Sequence, residues 1–219
     1  MKIMIIVAHP DDEVLGIGGY LYDRIQSGDE ACVIIANEAK IPSRPDLIRD
    51  MIHSHCIIGI RNWYGLDLQN LNVSAYSPAI VVPRMEEIIA DFGPDEIYTH
   101  SPTDINPDHQ AVSSFAQQAA RYYQRHSYNH RITGLYYMEV PSSTDWGSDM
   151  FEPDAYMQIS EAGLRKKIEA LSCYQNVLRQ DTHPRSDRAI TALAILRGST
   201  VGVPYAEAVK TCWRIGGLA

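Results

Sequence analysis

The sequence predicts an α/β fold in which a mostly parallel sheet is flanked by helices. Residues 2–8 and 31–36 form short, nearly continuous apolar runs, and a helical pattern over residues 12–25 separates them. Strands buried on both faces have this composition, and strand–helix alternation is typical of parallel β-α units. Ionisable side chains follow two of the strands. This position predicts an active site at the carboxyl ends of the strands.

The remaining elements follow from apolar spacing and from helix start and stop signals. Gly93-Pro94 ends one helix, and Ser160 is the expected N-cap of another. We expect helices at residues 42–59, 78–92, 110–124, 161–174 and 186–196, and strands at residues 62–66, 95–100, 132–140 and 155–159. Residues 205–213 fit a strand or a helix. Residues 141–153 predict an exposed loop near the carboxyl ends of the strands, where a loop can help to select a substrate.

Composition limits the classes of function. The chain has 219 residues, of which 45 % are apolar, so one domain with a substantial core is expected. A formal net charge of −8 and a pI near 5.4 argue against nucleic acid or an anionic membrane as the main partner. Four scattered cysteines predict buried thiols in a reducing compartment. No stretch matches a signal peptide or a membrane span, which predicts a cytoplasmic protein.

The first cluster of ionisable residues lies where the first strand meets the first helix. His9 and Asp12 are three residues apart at this turn, so both side chains can face one point. Imidazole nitrogen and carboxylate oxygen suit zinc. Asp11 lies between them and is free for another role. Asp11 or Asp12 could instead only cap the helix, but a cap needs one carboxylate and leaves His9 and Glu13 unexplained.

The second cluster follows the strand at residues 95–100. Asn106 and Pro107 are typical of a helix N-cap and first position, which puts His109 in the first turn. We expect His109 to be the third metal ligand, because three protein ligands and a water are the open arrangement of catalytic zinc. Other histidines are predicted to be ordinary: His53 and His55 are two residues apart and lie on different helix faces. His126 and His130 are expected at the surface.

Three segments resemble the PIG-L/LmbE-like zinc N-deacetylases. They are residues 9–13 (His-Pro-Asp-Asp-Glu), residues 107–111 (Pro-Asp-His-Gln-Ala), and a C-terminal set at residues 183–186, 197–198 and 201–208 that is similar to a subgroup of this family. The resemblance spans essentially the whole chain. It implies a single Rossmann-like deacetylase domain over residues 1–219. These enzymes are cytosolic or face the cytosol, and they remove N-acyl groups from amino sugars and their conjugates.

The resemblance also implies roles at individual positions. His9, Asp12 and His109 match the metal ligands, and Asp11 matches the proposed general base. Where the family often has a histidine proposed as general acid or oxyanion stabiliser, this chain has Asn106. Asparagine cannot be a general acid, although it can donate a hydrogen bond to an oxyanion. It could also only cap the helix.

The proton donor and the substrate contacts are the remaining predicted roles. Asp11 could return the proton that it takes, and the resemblance places the segment of His183 near the site, so His183 is the other candidate. Arg185 could bind a substrate phosphate or hydroxyl, or it could form an ion pair. Glu13 and Asp104 complete the predicted substrate-binding residues. Asp104 and Asp108 could also orient ligating histidines, and Asp108 could simply carry first-turn helix charge.

These expectations predict a hydrolase that removes the N-acetyl group from an amino sugar or its conjugate, with zinc (or another divalent metal) activating the attacking water. A metal-dependent amidase acting on another acylated small molecule is the first alternative. A catalytically weakened metal- or ligand-binding module is the second. Asn106 favours the weakened module, whereas Asp11 argues against it. The expected partner is a small molecule, and a homo-oligomer is possible.

Overall fold

The computed structural model describes residues 1–37, 46–126, 130–147 and 149–216. Over these residues, strands form one seven-stranded sheet in the order β3-β2-β1-β4-β5-β7-β6. The strands are β1 Lys2–Val7, β2 Glu30–Ile35, β3 Asn62–Gly65, β4 Glu96–His100, β5 Gly134–Met138, β6 Ala155–Gln158 and β7 Ala206–Arg214. Strands β1 to β5 are parallel, and β7 runs antiparallel to both β5 and β6. The predicted α/β class with a mostly parallel sheet is therefore confirmed.

The helices have the expected order. Within the described ranges they are α1 Asp12–Gln26, α2 Leu47–Ile58, α3 Pro78–Phe92, α4 Pro107–His126, α5 Glu161–Ser172 and α6 Asp187–Thr200, and a 3₁₀ turn covers Val73–Ala75. Helix α3 has the predicted bounds, and Ser160 caps α5 by accepting the backbone N–H of Gly163. The predicted helix at residues 42–59 is seen as α2, and its expected start at residues 42–45 lies outside the described residues. Residues 205–213, left open between strand and helix, belong to β7.

The sheet has apolar layers on both faces. Side chains alternate along β1, so Ile3, Ile5 and Val7 pack on one face and Met4 and Ile6 on the other. Strand β1 is central, which explains why its apolar run is nearly continuous. Its neighbours are β2 on one side and β4 on the other. The order of the strands reverses between β1 and β4, and the crevice beyond their carboxyl ends is the usual ligand position in such a sheet.

Helix α1 contains a break that a buried ion pair fills. At Ile17 the backbone is non-helical, with φ −132° and ψ 28°. Lys167 on α5 donates to the carbonyl oxygen of Leu15 at 2.8 Å. Glu207 on β7 accepts the backbone N–H groups of Gly19 at 3.1 Å and Tyr20 at 2.8 Å. The break leaves backbone groups of α1 without their helical hydrogen bonds, and a buried polar group without a partner is unfavourable. The Lys167–Glu207 pair, whose charged atoms are 2.6 Å apart, supplies those partners.

Two further features complete the fold. In the described residues, no helix is both long and apolar enough to cross a membrane. All four cysteines are free, as expected from their scattered positions, but the prediction that they are buried holds only for Cys32. Cys56 is exposed, because it lies on the outer face of α2, and Cys173 and Cys212 are half-buried.

Candidate metal centre and active site

The turn between β1 and α1 gives Asp11 an unusual backbone. Its φ is 120° and its ψ is −29°, a conformation that non-glycine residues rarely adopt and that tends to occur at functional sites. Asp11 occupies the N-cap position of α1, yet its side chain makes no capping hydrogen bond. Its carbonyl oxygen accepts the N–H groups of Val14 and Leu15 instead. The alternative in which this carboxylate only caps the helix is therefore excluded.

Three predicted ligands meet beside this turn. His9 Nδ1 and His109 Nε2 are 3.3 Å apart, and Asp12 Oδ2 lies 3.2 Å from each of them. His109 is the third residue of α4, as expected from the Asn106-Pro107 start. The strand pairing of β1 with β4 brings the two clusters together. Two imidazole nitrogens and one carboxylate oxygen converging in this way form a donor set that fits zinc.

Two further carboxylates contact the outer nitrogens of the two candidate ligand histidines. Asp104 Oδ2 lies 2.9 Å from His109 Nδ1, and Asp108 Oδ2 lies 3.3 Å from His9 Nε2. Such pairs fix the orientation of a ligating ring. Asp108 also accepts the backbone N–H groups of Leu71 and Val73, which ties the loop after β3 to the site. The prediction that both aspartates could orient the histidines agrees with these contacts.

The same carboxylates control the protonation of the rings. Burial acts to lower the pKa of His9, but hydrogen bonds to Asp108 and Asp12 outweigh it and raise the pKa to about 10. Burial also acts to lower the pKa of His109. The charge of Asp12 and the hydrogen bond to Asp104 outweigh it and raise that pKa to about 9. The carboxylates therefore favour positive charge at the point where the three ligand atoms converge, as a cation site requires.

His100 is a third histidine of the cluster. It is the last residue of β4, it is fully buried, and its ring stacks on that of His109 with centroids 3.8 Å apart. Its Nε2 accepts the backbone N–H of Ala8 at 2.9 Å. Burial, followed by the charge of His109, lowers the pKa of His100 to about 3. His100 therefore supports the site as a neutral ring that joins β1 to β4.

Asp11 and Arg185 face each other beside the ligands. Arg185 reaches to 3.8 Å from Asp11 Oδ2, and its Nε donates to Ser142 Oγ at 2.6 Å. Burial and then the charge of Asp12 raise the pKa of Asp11 to about 7, although the charges of Arg185 and His9 act to lower it. The contact brings the C-terminal segment of the chain to the β1–α1 turn. The alternative role predicted for Arg185 was an ion pair with an acid. Its 3.8 Å contact with Asp11 is a long ion pair of this kind.

Glu13 and Asp104 lie beneath the site. Both are fully buried. Glu13 accepts the backbone N–H of Asp11 and contacts His55 and Tyr174. Asp104 contacts His109, Ser143 Oγ and the backbone N–H of Asn106. Their burial argues against the expectation that either binds substrate, because every carboxylate oxygen meets a protein group.

Asn106 and His183 have partners that limit their roles. The side-chain oxygen of Asn106 accepts the N–H of Asp108 at 2.9 Å, which makes Asn106 the N-cap of α4 and leaves its amide N–H₂ group as the only possible donor. His183 is half-buried, and its Nδ1 accepts the backbone N–H of Arg185 at 3.0 Å. An accepting Nδ1 puts the ring proton on Nε2. The catalytic roles of both residues stay predictions.

Four residues around the site were missed by sequence reasoning. His100, Ser143 and Tyr174 had no assigned role, and His55, predicted to be an ordinary helix residue, is buried against Glu13. His53 is exposed, as expected of the opposite face. A signal existed for His100 and Ser143, because both follow or end parallel strands at the same edge of the sheet. His55 and Tyr174 depend on helix packing, which the sequence does not display.

Comparison with known proteins agrees with this geometry. A family model described as PIG-L, GlcNAc-PI de-N-acetylase, matches residues 4–120, which contain all three candidate ligands. No curated protein matches the chain.

Solved structures share the fold at low sequence identity. The conserved protein TT1542 from Thermus thermophilus has a TM-score of 0.80 at 18 % identity, over 99 % of this chain and 96 % of its own. N,N′-diacetylchitobiose deacetylase from Pyrococcus horikoshii has a TM-score of 0.73 at 17 % identity, over 96 % and 83 %. GalB, the 4-carboxy-2-hydroxymuconate hydratase from Pseudomonas putida, has a TM-score of 0.77 at 20 % identity, over 100 % of both chains. Because the family model covers more than half of the sequence, the chain belongs to the PIG-L family of de-N-acetylases.

Proposed function

We propose that this protein is a zinc-dependent hydrolase that removes the acetyl group from an N-acetylated amino sugar or its conjugate. One observation carries the proposal: Asp11 presents a carboxylate beside the convergent ligands His9, Asp12 and His109 without using it as a helix cap. A purely ligand-binding metal site has no need of that carboxylate. Family membership supports the same reaction.

The residues have distinct tasks in the proposed reaction. When bound, zinc polarises the acyl oxygen and lowers the pKa of water. Asp11 accepts a proton from the attacking water, and its pKa of about 7 suits a group that must both take and return a proton near neutrality. The hydroxyl adds to the acyl carbon, the carbon–nitrogen bond breaks, and Asp11 gives the proton to the leaving nitrogen. Acetate and the free amine are the products.

Two residues are proposed to help at the acyl oxygen and the leaving group. The N–H₂ group of Asn106 can donate a hydrogen bond to a developing oxyanion while its oxygen caps α4. His183 can donate from Nε2, because its Nδ1 accepts from Arg185. Asn106 stands where the family often has a histidine, and asparagine cannot transfer a proton. Asp11 therefore carries more of the proton transfer in this chain.

The substrate is proposed to be a small N-acetylated amino sugar or conjugate. The diacetylchitobiose deacetylase that shares the fold acts on such a sugar. Arg185 is the proposed contact for a phosphate or hydroxyl, since its guanidinium lies next to Asp11 and its planar fork suits oxyanions. We also propose a cytoplasmic location and one domain over residues 1–219, with the four unpaired cysteines as support for a reducing compartment.

Acetate release tests the proposal. The zinc-loaded protein is assayed on free N-acetylglucosamine and on its glycoside, phosphate and nucleotide-linked forms, beside the Asp11→Asn variant. We expect release from at least one compound and a loss of about 100-fold or more in Asp11→Asn, as is typical when a general base is removed. The variant should still bind one zinc. Loss of zinc from it would make Asp11 a ligand, and release unchanged in the variant would reject its role as base.

A hydratase is the second candidate, because the 4-carboxy-2-hydroxymuconate hydratase matches the chain over its full length. Both reactions deliver an activated water, but a hydratase adds it across a carbon–carbon double bond and breaks no amide. Loss of the 4-carboxy-2-hydroxymuconate absorbance, with no acetate from any sugar, would move the assignment to this class. Acetate release with stable absorbance would exclude it.

A further inference from the structure

We propose that His55 and Tyr174 are positioning residues that hold Asp11 in its strained backbone conformation through the carboxylate of Glu13. The inference rests on the proposed function for its catalytic consequence, since Asp11 is the proposed base. Its structural part concerns the backbone of Asp11 and can be measured without any substrate or metal.

The contacts form one chain that runs from α2 and from the turn after α5 to the β1–α1 turn. Glu13 Oε2 accepts the backbone N–H of Asp11 at 3.1 Å. Glu13 Oε1 lies 3.0 Å from His55 Nε2 and 3.4 Å from the hydroxyl of Tyr174. A carboxylate only accepts, so both partners are donors. Glu13 is fully buried, and His55 and Tyr174 are 2 % and 3 % exposed. The hydrogen bonds therefore form away from water, where they are strong.

The conformation of Asp11 needs such a restraint. A φ of 120° is unfavourable for a non-glycine residue and persists only where the surroundings enforce it. Glu13 fixes the N–H side of Asp11, and the first turn of α1 fixes its carbonyl side. Helices α1, α2 and α5 pack together on one face of the sheet. Helix α2 therefore reaches Asp11 through His55, and the turn that follows α5 reaches it through Tyr174.

A merely structural network would have a different signature. It would lower stability when cut, but it would leave kcat unchanged in the protein that remains folded. Positioning of a base acts on the transition state, so its loss lowers kcat with little change in KM. A displacement of about 1 Å in a reacting group costs roughly 100-fold in rate. Because Asp11 is not a proposed ligand, zinc binding should not change.

The variants are chosen so that the effect of a lost hydrogen bond can be told from the effect of altered packing. His55→Leu removes the stronger donor, and His55→Gln restores a side-chain N–H. Tyr174→Phe removes only a hydroxyl and serves if His55→Leu does not fold. Tyr98→Phe is the matched control, because Tyr98 is also fully buried and donates to a glutamate, Glu96, at 2.8 Å, away from Asp11.

The first measurement is amide hydrogen exchange of the metal-free protein by NMR. Exchange at the N–H of Asp11 should be at least about tenfold faster in His55→Leu and a few-fold faster in Tyr174→Phe, with recovery in His55→Gln. The N–H of Ala36, which donates to Val7, should not change, and neither should Asp11 in Tyr98→Phe. Unchanged exchange at Asp11 in both His55→Leu and Tyr174→Phe would overturn the proposal.

The second measurement is acetate release. We expect kcat to fall about tenfold to 100-fold in His55→Leu and less in Tyr174→Phe, with KM and zinc content retained. A wild-type chain that releases no acetate, but whose Asp11 exchange responds to His55→Leu, would reject the proposed function and keep the positioning role. An active wild type whose His55→Leu and Tyr174→Phe variants keep full kcat would overturn the catalytic part of this inference and leave the function standing.

Discussion

Two groups of buried charges differ in how their atoms are satisfied. The Lys167–Glu207 pair meets backbone groups of α1 that the helix break leaves without partners, and every contact described for it points to another protein atom. At the candidate metal centre, His9 Nδ1 and His109 Nε2 instead face each other and share one oxygen of Asp12. Those three atoms pair with one another and also converge on one point, as the ligands of a cation do.

The difference shows what separates a site from a structural ion pair. Both groups are buried, both are charged, and both join distant parts of the chain. Of the two, the candidate metal centre is the one whose ligand atoms converge on a point, and Asp11 beside it has a raised pKa. Convergence is therefore the better guide to a site in this molecule, and breaking each group should affect different properties.

The largest effect is expected from breaking the Lys167–Glu207 pair. Lys167→Met removes one charge and leaves Glu207 buried, which typically costs about 3–5 kcal/mol in the free energy of unfolding. Urea unfolding would show this as a lower midpoint. Zinc binding in the folded fraction should stay within a few-fold. A full loss of zinc with an unchanged midpoint would mean that the pair serves the site directly.

A smaller effect is expected at the candidate metal centre from Asp104→Asn. The amide keeps an oxygen for the N–H of Asn106 but loses the acceptor that orients His109. Removal of such a partner usually weakens metal binding about 10–100-fold. Competition with a chelating indicator measures it. The control is Asp95→Asn, an aspartate at the opposite end of β4 that also accepts a backbone N–H, from Lys2. Equal zinc affinity in both variants would reject the role of Asp104.

The smallest effect concerns a third polar group, formed by Tyr98, Tyr136 and Glu96. Burial raises the pKa of Tyr98 well above its usual range, and burial and then the charge of Glu96 raise that of Tyr136 to about 12. These hydroxyls keep protons in the folded state that the unfolded chain releases near pH 10. Stability should therefore fall from about pH 10 upward, by at most about 1.4 kcal/mol per pH unit for each proton.

Urea midpoints at pH 9, 10 and 11 test this slope. Tyr136→Phe removes one of the titrating groups, so its midpoint should fall less steeply with pH than that of the wild type. Below pH 9 the two slopes should agree. A slope that is unchanged above pH 10 would show that Tyr136 does not contribute to alkaline unfolding.

Local patterns in the sequence determined much of the fold. The apolar run of β1 requires burial on both faces, and the Asn106-Pro107 start places His109 at the third helical position. Because parallel strands end at one edge, the convergence of His9, Asp12 and His109 could be expected. The strand at residues 206–214 could not be decided, since its first half is buried and its second half half-exposed.

Other features depend on long-range packing that no local pattern contains. The break at Ile17 is stable because Lys167 and Glu207, from α5 and β7, fill it. The contact of His55 with Glu13 requires α2 to dock against α1, and the spacing of His53 and His55 predicts only that they lie on different faces. Ser143 belongs to a loop that was predicted to be exposed. The first part of this loop is buried instead, and Ser143 donates to Asp104 there.

The break in α1 has a consequence for how the chain is made. Glu207 is 188 residues later in the sequence than Gly19, whose N–H it accepts. A growing chain on the ribosome therefore exposes β1, α1 and the first ligands long before the carboxylate that completes α1 has been synthesised. The helix bearing Asp12 can reach its final form only after β7 has been synthesised. Synthesis order thus gives the nascent protein a built-in delay before the candidate metal centre can take its finished geometry.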